Sequence, residues 1–435
     1  MNREKWIGYA LEQGFESFEV YQSTSEEKTL KYYEGDMESF VTSHVLSTSF
    51  RGLVKGKMTK ASTEDPTDDQ MEEIIGMMKD QADVITSDDV GEILKPEKTE
   101  EVHTDRVFKE ASTEKILEIM KQIEEKILAY DSRLFQVTDM EYTRNRGIRE
   151  IVNSYGLHVR DEDVYAIIMS GAAAKEGNEI RNDYKIELLE DPDSFDVDSF
   201  VKELCEEVLG KLNSSSLPSR KMKAIIRNDA MTSLFSAFTP MFSGELIGKG
   251  ISPLKDKVDE VVFSEKITVI DDPKNTDCLQ IANYDDEGHP THKKTVVNKG
   301  VFKTVLHDTR SARRMKTSST GNGFFGSVSP FNMSIEKGEK DLKALEEAMK
   351  EGLVITDFQG LHAGIDFVTT NFSLQCSGYT VKDGKRERSV SLITAAGNFL
   401  DLMKKAEEVG SDLDWKYHSV AVPSILFEEI SIAGE

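Results

Sequence analysis

The residues whose types could do chemistry at close quarters lie between positions 285 and 326. His289-Pro290-Thr291-His292 sets two imidazoles three apart, which is half of a metal site, and Asp285-Asp286-Glu287 just before it offers carboxylates to a hard cation. Pro290 and the turn-forming run Asp285 to Gly288 place them in a loop, where solvated side chains are the ordinary outcome. Gly321-Asn322-Gly323-Phe324-Phe325-Gly326 is a literal Gly-x-Gly-x-x-Gly. It follows Thr317-Ser318-Ser319-Thr320 and runs into Ser327-Val328-Ser329-Pro330, whereas a pyrophosphate cradle must leave a strand and open a helix. A plain glycine loop is the better reading. Gly244 to Gly250 and Gly52 to Thr59 each fall one residue short of phosphate-loop spacing. No cysteine pair has zinc spacing and no Gly-x-Ser-x-Gly elbow occurs, so neither a zinc ribbon nor a serine hydrolase has an anchor.

Composition narrows the setting. The 435 residues carry 54 Lys+Arg against 79 Asp+Glu, and 54 − 79 = −25, so a general nucleic-acid binder, which needs clustered basic side chains, is disfavoured. With 38% hydrophobic residues, 21 Phe and 12 Tyr, the chain has the apolar material to fold, and global disorder is excluded. Cys205, Cys278 and Cys376 are few, far apart and odd in number; they read as small buried residues, not as a disulfide framework. Met1 to Ile7 has no signal-peptide core and nowhere do about 18 apolar residues run together, so a cytoplasmic protein without membrane spans is expected.

Periodicity supplies the elements that would hold these residues. Arg3 to Gln13 reads as a helix, Phe18 to Ser62 as an antiparallel meander, and Thr67 to Val84 as a second helix. The same order returns with a helix at Thr113 to Tyr130, strands at Leu134 to Tyr142, Gly147 to Asn153, Leu157 to Asp161 and Val164 to Ala174, and a helix at Val197 to Leu212. Two helix-strand-helix lobes, 1–86 and 113–213, are therefore expected, joined by an acidic connector at 87–112. The linker Asn213 to Ser219, stopped by Pro218, opens a large strand-rich domain at 220–435, a mixed sheet or partly closed barrel. In it Asp229 to Ile247, Leu342 to Met349 and Asn398 to Glu408 read as helices. The fold class is α+β.

Within that last domain a succession of stations resembles the TldD/PmbA family, known as modulators of DNA gyrase. It runs through Ile251-Ser252-Pro253-Leu254, Ile267-Thr268-Val269-Ile270-Asp271-Asp272-Pro273, Tyr284-Asp285-Asp286-Glu287-Gly288, His307-Asp308-Thr309-Arg310-Ser311-Ala312 and Asn332-Met333-Ser334-Ile335-Glu336-Lys337-Gly338. Gly397-Asn398-Phe399 and Val409-Gly410-Ser411-Asp412 follow, and Phe50-Arg51-Gly52-Leu53-Val54-Lys55-Gly56-Lys57 is similar to the family's N-terminal part.

The resemblance implies a peptidase built from two related subunits. In the TldD-type subunit a helix carries His-Glu-x-x-x-His and a cysteine near the C-terminus completes a zinc shell, the glutamate serving as general base on metal-bound water. Counting back without gaps from Gly250, this chain has Phe235-Ser236-Ala237-Phe238-Thr239-Pro240 there, with Phe235, Ser236 and Pro240 where the two histidines and the glutamate would stand. Tyr417-His418-Ser419-Val420 occupies the neighbourhood of the third ligand, and His418 is the one outlying candidate left. The pattern resembles the PmbA, or TldE, subunit. It implies a non-catalytic chain without its own cofactor, zinc in a TldD-like partner, a heterodimer with that partner or a homodimer when alone, and peptide substrates as in peptide-antibiotic maturation and antitoxin turnover. Thr320, Gly321, Asn322 and Gly323 are candidate groove residues, because glycine lets a backbone approach closely. Two alternatives stand beside this reading: an independent hydrolase using His289, His292 and Asp285, and a self-associating binding protein with no peptidase partner.

Overall fold

The computed structural model describes residues 1–86, 91–104 and 106–435; within the connector expected at 87–112, residues 87–90 and 105 lie outside the described residues. The first half contains α1 (Arg3–Glu12), β1 (Ser17–Tyr33), β2 (Asp36–Val54), β3 (Lys57–Glu64) and α2 (Met71–Val84), then α3 (Thr113–Tyr130), β4 (Leu134–Asn153), β5 (His158–Glu176), β6 (Glu179–Leu188) and α4 (Val197–Gly210). Both helix-strand-helix successions are present. They share one six-stranded sheet in the order β3-β2-β1-β4-β5-β6, because β1 pairs with β4 from Glu19↔Asn153 to Lys31↔Glu141.

The strands are long enough to serve two cores. Phe18, Val20 and Leu30 alternate onto one face of β1. Phe18 and Val20 pack with Trp6, Phe50, Ile75 and Met78 beneath α1 and α2, whereas Leu30 packs with Ile116, Met120 and Ile123 of α3. The α3 helix starts where Ser112 accepts the Lys115 N–H, the cap its position suggested. Leu134 to Tyr142 and Gly147 to Asn153 merge into the single 20-residue strand β4. The polar residues Arg144 to Arg146 that separated them in sequence lie in a stretch paired on both sides, where only the face covered by helices needs apolar side chains.

After the linker come β7 (Arg220–Ile226), α5 (Asn228–Phe238), α6 (Gly244–Gly248), β8 (Val269–Asp271), β9 (Lys294–Asn298), β10 (Val301–Phe302), α7 (Thr309–Met315), β11 (Gly323–Phe324), β12 (Ser327–Val328) and β13 (Met333–Ile335). The chain ends through β14 (Gly352–Gln359), β15 (Ile365–Asp366), β16 (Asn371–Lys382), β17 (Lys385–Asn398), β18 (Ala406–Val409), β19 (Val420–Ala421) and β20 (Ile425–Ala433). Strands β14, β7, β20, β17 and β16 pair in that order, and β14 pairs again with β16, so five strands close into a barrel. A second sheet, β10-β9-β8-β13-β19, stands beside it. The buried face of α5, with Met231, Leu234, Phe235 and Phe238, fills the core between barrel and second sheet.

Two helices are shorter than their sequence pattern. The run Asp229 to Ile247 is broken after Phe238 into a tight turn at Thr239–Phe242 before α6, since Pro240 lacks the N–H an α-helix needs. Asn398 to Glu408 is helical only at Phe399–Lys404; Ala406 to Val409 leaves the helix to pair as β18 with β20. Among the described residues no helix is long and apolar enough to cross a membrane.

Candidate functional site

The N-terminus of α5 opens onto a cleft of about 570 Å³ between the barrel and the central part of the chain. Arg227 is the N-cap of the helix, its carbonyl accepting the Met231 N–H at 2.8 Å while its own N–H donates to Ile355 O at 2.9 Å, and Asn228 donates its N–H to Ser424 Oγ (3.0 Å) and its Nδ2 to Asp412 O (3.1 Å). This rigid start turns Asp229 and Ser233 toward the cleft, with Thr356 and Asp357 of β14 beside them. Tyr184 and Lys185 of β6 and Glu203 and Glu206 of α4 form the opposite wall.

The loop Lys416-Tyr417-His418 reaches the same cleft. Lys416 Nζ lies 3.0 Å from Asp229, and the Tyr417 and His418 rings sit 4.2 Å apart. Burial lowers the His418 pKa, with Lys416 acting in the same sense and Asp229 against it, so this imidazole is neutral near neutral pH. The structure thus joins the helix start to the 417–420 segment, and it brings one imidazole there.

The residues at 235 and 240 are elsewhere. Phe235 is 1% exposed and packs against the rings of Phe242 (6.4 Å) and Phe399 (6.2 Å), while Phe238 stacks on Phe399 at 4.2 Å. Pro240 is exposed on the far side of the helix end, and Ser236 is half-buried, its carbonyl accepting from Thr239 Oγ1 at 2.9 Å.

Sequence models of the PmbA/TldA metallopeptidase central and C-terminal domains match residues 106–212 and 219–434. The chain belongs to the TldD/PmbA family. It is 27% identical over 325 residues to the metalloprotease PmbA homolog of Haemophilus influenzae, an overlap of 74% of this chain and 70% of that one. The crystal structure of a Thermotoga maritima protein described as a candidate modulator of a DNA gyrase superposes with a TM-score of 0.90 at 28% identity, covering 99% of both chains. TldE from Thermococcus kodakarensis has the same fold, with a TM-score of 0.90 at 24% identity and 99% coverage of each chain.

A metallopeptidase family implies a metal, and Phe235 and Pro240, which the sequence resemblance sets at the histidine positions, do not fit one. An aromatic ring in an apolar core and a proline on the surface offer no lone pair to a cation. All three cysteines are buried, and burial pushes the Cys205 and Cys376 thiols up to about 12 and raises Cys278 as well. Among the described residues no three His, Cys, Asp or Glu side chains converge as a ligand set.

The set His289, His292 and Asp285 is not brought together. Asp285 is fully buried and accepts the N–H groups of Glu287 (3.0 Å), His289 (2.9 Å) and Gly323 (2.9 Å). His289 Nε2 is bonded to Thr309 Oγ1 at 2.9 Å, and His292 is exposed. The acidic run is not the solvated loop its sequence suggests. Asp286 binds Arg149 (2.8 Å) and Tyr21 Oη (3.2 Å), and Glu287 receives Thr309 N and Oγ1, each at 2.7 Å. These carboxylates tie the C-terminal domain to the six-stranded sheet, where Arg51 is paired with the fully buried Glu19.

The groove candidates turn inward. Asn322 is fully buried, its Nδ2 donating to Asp271 Oδ2 (2.8 Å) and Ser329 O (3.0 Å) and its Oδ1 accepting from Thr320 Oγ1 (2.8 Å). Asp271 also pairs with the buried Lys294 at 3.2 Å. Gly321 has φ +67°, and a Cβ there would lie 2.8 Å from Pro290 O, so glycine serves a close backbone crossing. Of the four residues, Gly323 lines a cleft of about 590 Å³ between the sheet and the Glu287 loop. The cleft-lining residues that sequence reasoning missed, Arg227, Asp229, Arg386 and Lys416, stand in no motif, and they converge from the start of α5, β17 and the loop before β19.

Proposed function

We propose that this chain is the PmbA/TldE-type, zinc-free subunit of a two-subunit peptidase, pairing with a TldD-type subunit that carries the metal. The observation that supports this most is the packing of Phe235 among aromatic rings where the family's metal helix would present a histidine. The substrates are extended or unfolded peptides. Among the described residues β6 ends the six-stranded sheet with no further strand on its outer side, along the α5 cleft, and an extended peptide can add to such an edge through backbone hydrogen bonds whatever its sequence. A cytoplasmic location and an indirect effect on gyrase, through turnover of peptides that act on it, go with this reading; a net charge of −25 argues against direct contact with nucleic acid.

The test is co-expression with a TldD-type chain from the same genome. Co-purification of the two, with peptidase activity and stoichiometric zinc only in the pair, supports the proposal. Stoichiometric zinc in this chain alone, removable with loss of its own peptidase activity, overturns it.

A further inference from the structure

A second cleft, of about 290 Å³, adjoins the α5 cleft and shares Glu207, Lys211, Arg227, Thr356 and Arg386 with it. It lies between the start of β6, the end of α4 and the barrel strands β16 and β17. Its charge runs against that of the molecule: Arg181, Lys211, Arg227 and Arg386 line it, with Glu207 the one lining carboxylate among the described residues. Three of these cations are matched. Arg181 pairs with Glu179 at 2.7 Å, Lys211 with Asp183 at 2.8 Å and Arg227 Nη1 with Glu207 at 2.9 Å.

Arg386 is the fourth, and among the described residues no carboxylate lies within ion-pair distance of it. Its guanidinium sits 4.4 Å over the Tyr379 ring, and its Nη2 donates to Gly210 O (2.9 Å) and Ser389 Oγ (3.3 Å). Such contacts hold a guanidinium in place without neutralising it. A second sign comes from Arg227, whose Nε is buried without an acceptor among the described residues. A buried unpaired donor is costly, and an incoming acceptor would relieve it.

We propose that this cleft binds the C-terminal carboxylate of a peptide, seated against Arg227 and Arg386. Four cations against their three carboxylate partners leave one positive charge, which matches a monoanion; a phosphate dianion would overcharge a site that already holds Glu207. The space is small enough to take the end of a chain, and it opens into the larger cleft along β6, where the body of that chain would lie. The assignment rests on the peptide reading proposed above.

The experiment is calorimetric titration of the purified full chain, without partner, with one uncharged hexapeptide sequence made as the free acid and as the C-terminal amide. The free acid is expected to bind about tenfold more tightly, with acetate a better competitor than inorganic phosphate. The exposed substitution Arg386→Gln should remove the preference, and Arg386→Lys should keep part of it. Equal binding of acid and amide, no binding of either, an unchanged preference in Arg386→Gln, or stronger competition by phosphate each overturns the proposal. Peptidase activity of the assembled pair is a separate readout: activity with equal binding of acid and amide removes the carboxylate site alone, and a carboxylate preference without activity removes the peptidase reading alone.

Discussion

Arg149, near the C-terminal end of β4, lies 2.8 Å from Asp286, so a strand of the N-terminal sheet is tied by charge to a loop of the C-terminal domain. The same guanidinium reaches Asp161 and the Tyr284 carbonyl, each at 2.6 Å, and stands over the Phe324 ring at 5.7 Å. With side chains 18% and 19% exposed, the two charges are sheltered enough for their pairing to matter to the assembly of the domains.

Arg149→Met should therefore destabilise the protein by about 3 kcal/mol or more, because Asp286 and Asp161 are left sheltered without their cation. Replacing all three with Arg149→Met, Asp161→Asn and Asp286→Asn should recover part of the loss. Urea unfolding checks both, and a single variant within about 0.5 kcal/mol of wild type would show that the tether is solvated and weak.

Phe235 and Pro240 invite the opposite comparison, since the sequence resemblance sets both at histidine positions but their surroundings differ. Phe235→Ala removes a ring from a packed aromatic core and should cost about 3–5 kcal/mol. Pro240→Ala, at an exposed turn, should change stability by no more than about 1 kcal/mol. Thermal unfolding of the two variants separates them, and similar losses from both would contradict the placement of the two side chains.

Much of this architecture was legible residue by residue. The heptad-like Ile116, Met120, Ile123 and Ile127 announced α3, and Tyr-, Val- and Thr-rich runs announced the long strands, because local period and burial agree there. Pairings such as Ser25↔Gly147 leave no local mark, so the fusion of two lobes into one sheet was hidden. The same holds for the site. Phe235 and His418 were singled out through the family's stations, whereas Arg227, just after β7, and Arg386, on β17, are distant in sequence and come together only in the folded barrel. The acids at 285–287 misled for a related reason: their partners Arg149, Tyr21 and Thr309 come from elsewhere in the chain.

The glycine loop behaves as a structural crossing, and Asn322 is its centre. Asn322→Ala removes a donor from the buried Asp271 carboxylate and should cost about 2 kcal/mol. Gly321→Ala should also destabilise, through its left-handed φ and the contact with Pro290 O. If either variant instead weakened peptide binding at unchanged unfolding midpoint, the loop would be a groove after all.

Asp285 gives a pH signature of definite sign. Burial and the adjacent charge of Glu287 push its carboxyl up to about 7, against the three N–H donors that favour the anion. Arg51, from the sheet, faces the same loop. An acid whose folded pKa exceeds its unfolded value of about 3.9 contributes stability that is complete below that value and is lost as pH rises toward about 7. His289, His307 and His418 have lowered pKa values from burial, so their contribution runs the other way, present above about 6.5 and lost as pH falls. The difference between wild type and Asp285→Asn isolates the carboxyl. Asparagine keeps a carbonyl acceptor for Glu287 and His289 but cannot ionise, so wild type should hold its largest advantage near pH 4 and lose it steadily up to about pH 8. Denaturant midpoints of the two proteins measured across that range test it, and a gap that stays constant with pH would mean that Asp285 is ionised throughout.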